Sequence, residues 1–416
     1  MKKFVLGLAA MALIFASCAK NEVEQINEQN PDVISFSSTT ARATINNLAT
    51  LQADAAGFQV LGKTTGASSW FSSGGTIDGT NNYGFAASAW GWVGTPAKWP
   101  LVSTDYPMDF YAIYPPSASV TKNATTPTIT DAITIAGTVA AQKDLLAAKA
   151  STASKPADGK LSLTFKHILS KINIGVIAGN GKTVIIQEAG AQNVYNKASY
   201  DYVAGTWLAS PVITGNVGYE YFKGLVAAAK SITGVAAETA EPIYAAAVTN
   251  AHMMLMPQTH ASWNPTSGTV SNSYISMTYR LKGAAGDEVG YTDATDYLTD
   301  YPDFVDVTAW SSYSGISSGA TPYGTKPFYI KVGFPLATAG GNFTWAPGKG
   351  YTYNLCLGTL GSSNGYYVDD TYYDEDGNDT GIPIKGIVIG DPVSDGIINF
   401  KVDVTDWDNT APIPLQ

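Results

Sequence analysis

From residue 33 onward the chain is written in short runs whose apolar and polar side chains alternate, each run closed by Gly, Pro, Asn or Ser. In LSLTFKHILSKINIGVI, Leu161, Leu163 and Phe165 fall on one face and Ser162, Thr164 and Lys166 on the other, with a break near His167 that reads as a bulge. KTVIIQ, HMMLMP, YISMTYRL, PFYIKVGFPL, YTYNLCLG and INFKVDVTDW continue the pattern. A period of two is that of strands with one face buried, and many such runs at turn-separated intervals predict an all-β sandwich. Only QKDLLAAKAS suggests a helical turn, and no fixed repeat argues for a propeller or solenoid. Since single cores seldom grow beyond about 250–300 residues, 416 residues predict two sandwich domains with few short helices. The polar stretch STASKPADGK, residues 151–160, reads as the linker, giving domains at 43–160 and 161–416.

The chain opens MKKFVLGLAAMALIFASCAK, two lysines and an apolar run ending in small residues before Cys18. That is a signal peptide over residues 1–17, too short to cross a bilayer as a helix of about 20 residues. A cysteine directly after the small residues matches a lipobox, so Cys18 is the expected lipidation site, and a lipid anchor is the expected contact with the membrane. The only other cysteine, Cys356, lies in a strand-like run and reads as an inert thiol. Residues 19–32 are polar and read as a tether. In the first strand candidate, VISFSS, Val33, Ser35 and Ser37 alternate with Ile34, Phe36 and Ser38. Arg42 follows in a loop of small residues and is the only arginine before Arg280, which makes the Arg42–Ala43 bond an accessible site for a trypsin-like protease.

A search for chemistry finds little. The net charge is −10 and no basic run offers a nucleic-acid backbone its counter-ions. His167, His252 and His260 show no catalytic or metal-ligand spacing and read as structural or surface residues. Asp374, Asp376 and Asn378 alternate as in a calcium loop, but the sixth position is Asp379 where the turn needs glycine and no twelfth-position glutamate follows, so a solvated acidic loop is preferred to a weak Ca²⁺ site. No nucleotide or nucleophile motif is present, no cofactor is implied, and the chain reads as a non-enzyme. Trp90, Trp92 and Trp99 could form a sugar-binding platform, although core packing is the commoner use of such a cluster.

Several segments, in order, are similar to the fimbrillin family, the subunits of type V pili of Bacteroidetes bacteria. They are the lipobox at Cys18, ISFSSTTAR ending at Arg42, MDFYAIYPP (108–116), QKDLLAA (142–148), LTFKHILSKINI (163–174), LMPQT (255–259), WAPGKGYTYNL (345–355) and VDVTDW (402–407). The resemblance implies transthyretin-like, Greek-key sandwiches. It also implies a lipidated precursor on the outer membrane whose residues 18–42 form a propeptide, trimmed after Arg42 by an extracellular arginine-directed protease. The strand carrying Val33, Ile34 and Phe36 would then leave, and a neighbouring subunit's strand, with Ile398, Phe400, Val402 and Val404 as donor residues, would fill the open edge. The implied role is an adhesive surface pilus with other subunits as partners. The alternative is a monomeric surface lipoprotein or tip adhesin binding a glycan or host protein.

Overall fold

A computed structural model describes residues 32–40, 56–64, 78–86, 89–123, 128–208, 218–223, 230–235, 240–243, 252–261, 272–282, 328–337, 342–357, 365–384, 387–389, 391, 399–406 and 413–414. In chain order its strands are β1 (Ser35–Thr40), β2 (Phe58–Thr64), β3 (Asp78–Ala86), β4 (Ala89–Val93), β5 (Met108–Tyr114), β6 (Val120–Asn123), β7 (Thr128–Thr134), β8 (Leu146–Thr152) and β9 (Lys160–His167). Next come β10 (Ser170–Ala178), β11 (Thr183–Gln192), β12 (Lys197–Asp201), β13 (Thr206–Trp207), β14 (Tyr219–Lys223), β15 (Lys230–Thr233), β16 (Glu241–Pro242), β17 (Met253–Leu255), β18 (Gln258–His260) and β19 (Tyr274–Lys282). The last are β20 (Ile330–Pro335), β21 (Phe343–Trp345), β22 (Lys349–Leu357), β23 (Tyr366–Tyr367), β24 (Thr371–Tyr373), β25 (Asp379–Pro383), β26 (Asn399–Asp406) and β27 (Ile413–Pro414). The only helical elements among the described residues are two 3-10 turns, so the chain is all-β as the alternation requires.

The first sheet has the spatial order β27-β1-β9-β8-β5-β2-β3-β4. The strands β16-β10-β22-β26 and β14-β11-β19-β20-β23 form two further sheets, and β13-β12-β7-β6 a smaller one. Alternation assigns each face. Along β9 every second residue is buried, and Leu161, Leu163 and Phe165 enter an aromatic core with Phe58, Tyr83, Trp90, Trp99 and Phe110. The opposite face of the same sheet, through Leu61, Tyr111 and Ile113, joins a second, larger core. That core is filled mainly by Ile172, Ile174 and Val176 of β10, Val184 and Ile186 of β11, Met277 and Tyr279 of β19, and Tyr353 and Leu355 of β22. In β11 the register slips opposite β19 between Ile186 and Glu188, which leaves Gln187 buried with its Nε2 donating to the Asp374 carbonyl at 2.8 Å.

Three sequence expectations change here. Residues 151–160 are not a linker between cores: they connect β8 to β9, which are neighbours in one sheet, and residues on both sides of them, Tyr111 and Ile129 before and Ile172 after, belong to the second core, while Leu161, Leu163 and Phe165 still belong to the first. His167 is no bulge, because it keeps the alternation as the last inward residue of β9. The latter half of QKDLLAAKAS is strand β8, paired along its length with β5; its helix-forming alanines are overridden by a sheet already laid down on that side.

Candidate functional site

β1 is the first described strand and pairs with β9, in parallel, from Ser35↔Lys160 to Thr40↔Phe165. Parallel pairing needs a long crossover, and here everything from β2 to β8 lies between the partners. Ile34 and Phe36 are buried, at 0% and 4% exposure, while Val33 on the other face is half-buried. The Phe36 ring meets four aromatic rings, Tyr83 at 5.1 Å, Trp92 and Phe110 at 5.8 Å and Phe58 at 6.4 Å, all edge-on, the arrangement ring quadrupoles favour. Burying two side chains of this size is worth about 1.5–3 kcal/mol each.

Polar contacts hold the same segment. Trp92 Nε1 donates to the Ile34 carbonyl at 2.7 Å, the Tyr83 hydroxyl accepts from the Phe36 amide at 3.3 Å, and the Ile34 amide donates to the Ala97 carbonyl at 2.8 Å. One carbonyl, that of Gly159, accepts from the Ser35 amide, the Ser35 hydroxyl and the Trp99 indole. Gly159 has φ +69°, a conformation that favours glycine, and this aims its carbonyl at β1. Lys155 and Asp32 form an exposed ion pair at 2.6 Å. Lifting out 32–40 would therefore uncover a groove floored by Phe58, Tyr83 and Phe110, walled by the Trp92 indole and edged by the unpaired backbone of β9.

At the far end of β9 the chain crosses between cores, and there two buried polar side chains meet, His167 Nδ1 lying 2.6 Å from Asp144 Oδ2. Around it, Gln142 Oε1 accepts from the Met254 amide at 2.7 Å, Ser170 Oγ donates to the Ala346 carbonyl at 2.8 Å, and the Gly348 amide donates to the Leu169 carbonyl at 2.9 Å. Lys171 on β10 is half-buried, and burial lowers its ammonium pKa while the Asp144 charge opposes that shift. The segments 142–148, 163–174, 255–259 and 345–355, scattered in sequence, thus meet at the junction of the two cores.

The fimbrillin-like family profile matches residues 41–369, most of the chain. The chain belongs to the fimbrillin-like family. Among solved structures, the crystal structure of a fimbrial protein from Bacteroides vulgatus ATCC 8482 aligns with TM-score 0.52 and 12% identity, covering 90% of this chain and 99% of that one. Candidate cell adhesion proteins from Bacteroides uniformis ATCC 8492 (TM-score 0.40, 14% identity, 90% and 98% covered) and Parabacteroides distasonis ATCC 8503 (0.42, 12%, 91% and 98%) align more loosely. At these identities the likeness is one of fold. No curated protein gives a significant sequence match.

In this fimbrillin-like chain the remaining candidates fall as follows. Cys18, Arg42, Ala43 and Ile398 lie outside the described residues. The strand carrying Phe400, Val402 and Val404 is β26, an edge strand among the described residues, antiparallel to β22 from Lys349↔Asp406 to Cys356↔Asn399. Trp90 and Trp99 are buried in the first core and Trp92 is half-buried against Phe36, so these indoles pack in or against that core and form no open sugar platform. Asp374 is turned inward: Oδ1 accepts the Asp376 and Asn378 amides at 2.9 Å and Oδ2 the Asn378 side chain at 3.2 Å, so its carboxylate caps its own turn. All three histidines are buried. Burial pushes His252 and His260 down to about 3, with Lys171 adding to the effect on His252, and His260 lies edge-on to Trp345 at 4.1 Å. The contact between Asp144 and His167 gives no signal in the sequence, because Asp144 precedes β8 and His167 ends β9, and only the pairing of those strands brings them together.

Proposed function

We propose that this chain is a structural subunit of an adhesive surface pilus, exported as a precursor lipidated at Cys18, held on the outer membrane, trimmed after Arg42 and joined to other subunits by strand exchange. The observation that carries the reading is β1 itself. It is the first described strand, it supplies Ile34 and Phe36 to an aromatic core, and Arg42 follows two residues after its end. One cut after Arg42 leaves every other strand of the first sheet covalently connected, and the vacated edge of β9 is a template for an incoming strand. β26 is the donor favoured by its alternation of Phe400, Val402 and Val404, and among the described residues its one strand partner is β22. The reading as a monomeric glycan binder loses its main support with the tryptophans enclosed.

The test is to incubate the purified precursor and its Arg42→Ala variant with a trypsin-like protease, following amino-terminal sequence and size. The proposal expects the wild type to be trimmed to Ala43 and to form ladders of oligomers while the variant stays intact and monomeric. A trimmed wild type that remains a stable monomer would sink polymerisation by strand exchange.

A further inference from the structure

Among the described residues β1 has two strand neighbours, while residues 32–34 just before it are held by Ala97 and Trp99. On its inner side is β9; on its outer side, Thr39 and Thr40 pair antiparallel with Pro414 and Ile413 of β27. The carboxy-terminal end of the chain thus lies against the amino-terminal strand. The strand order is compatible with this. β26 ends at Asp406 opposite Lys349, the adjacent rung joins Gly350 to Lys171 at the start of β10, and β10 follows directly from β9, whose Phe165 faces Thr40. The chain leaves β26 at the end of the molecule where β1 finishes, and the steps from Asp406 to Ile413 can span up to roughly 25 Å.

The tail's chemistry suits an outer edge. It reads APIPLQ, so of the three residues Pro412, Ile413 and Pro414 only Ile413 has a backbone N–H to donate. A strand of this kind covers its neighbour while offering little to a further strand. Its position along β1 also matters. A strand cut after Arg42 acquires a new free end beside Thr40, and a cut strand frays from its free end. Thr39 and Thr40 are the two residues that the tail clasps.

We propose that the carboxy-terminal tail is an intramolecular latch on β1, occupying the strand's outer edge so that β1 leaves the first core only after the tail has lifted. This rests on the reading of β1 as a removable strand and adds an order of events to it. When the carboxy-terminal region of a subunit is drawn into a neighbour, its tail quits its own β1, and the groove of that same subunit is freed to open. Engagement at one end thereby primes the other.

The experiment compares amide hydrogen exchange at Ser37–Thr40 in the full chain, a chain ending at Trp407, and the Ile413→Pro variant, which removes the one donor and leaves the tail in place. Two cross-strand pairs predict an acceleration between about twofold and about thirtyfold in both altered chains, with amides of Ser170–Ala178 unchanged and trypsin trimming to Ala43 quickened in parallel. Equal exchange in all three chains overturns the latch, and so does an acceleration that extends to Ser170–Ala178, which would make the tail a general support. Faster exchange confined to β1 with no Ala43 terminus in any chain would uphold the latch while removing trimming after Arg42 from the proposed function.

Discussion

The two cores of this chain are closed in opposite ways. The second is built from strands in the chain's interior, so no single cut detaches any of its central strands β10, β11, β19 and β22. The first is aromatic, smaller, and completed by the two residues Ile34 and Phe36 at the chain's beginning. Stability and replaceability are thereby separated: the large core holds the subunit together, and the small one depends on an element that another chain could supply.

The strongest way to break this contrast is to remove residues 1–42 altogether. The first core then loses Ile34, Phe36 and the whole β1–β9 ladder, and the expected result is a separate low-temperature transition in calorimetry, accompanied by a red shift of fluorescence from Trp90, Trp92 and Trp99. If instead a single transition moves as one, the cores are not independent and the contrast fails. A smaller step is Phe36→Ala, expected to cost about 3–5 kcal/mol and to act on the first transition alone, as measured by denaturant titration of the same fluorescence. Asp144→Ala, at the join, removes the carboxylate that lies against buried His167; losing one partner of a buried polar contact costs about 1–3 kcal/mol, and here both transitions are expected to fall together.

Acid sharpens the contrast in the other direction. His252 and His260 titrate at 6.5 when unfolded but are held down to about 3 when folded. Between those values the unfolded chain binds more protons, so their contribution to stability is level above pH 6.5 and is lost as pH falls towards 3. The second core, which His260 adjoins through Trp345, is expected to weaken on acidification, and His260→Phe to flatten that limb of a stability-against-pH curve. Trp92→Phe has the smallest expected effect, the loss of the hydrogen bond to the Ile34 carbonyl, about 0.5–1.5 kcal/mol, read as a small drop in the first transition with the second unmoved.

Much of this was legible in the residues. The alternation in Leu161, Leu163 and Phe165 and the inward pair Ile34 and Phe36 follow from period two alone, because one face of a strand must be buried. What was hidden depended on partners distant in sequence. The Gly and Pro of residues 151–160 mark a reversal between neighbouring strands as readily as a boundary, and only the pairing of β9 with both β8 and β1 decides between them. Asp144 and His167 lie in separate motifs and acquire meaning only when Leu146 and His167 come into register. The tryptophans carry the same composition whether they face a sugar or Phe36.

The parallel pairing of β1 with β9 also has a consequence in time. Ser35 and its acceptor Gly159 are 124 residues apart, so a strand made among the first must wait for a partner that emerges far later, and contacts of such long range close slowly. The β1–β9 pairing is therefore expected to close late within the first sheet, with pulse-labelled exchange finding β1 protected after β5 and β8, which pair over a much shorter stretch of chain. Strand exchange would then be the reversal and repetition of a late closure of the first sheet, with the missing strand supplied by a second molecule.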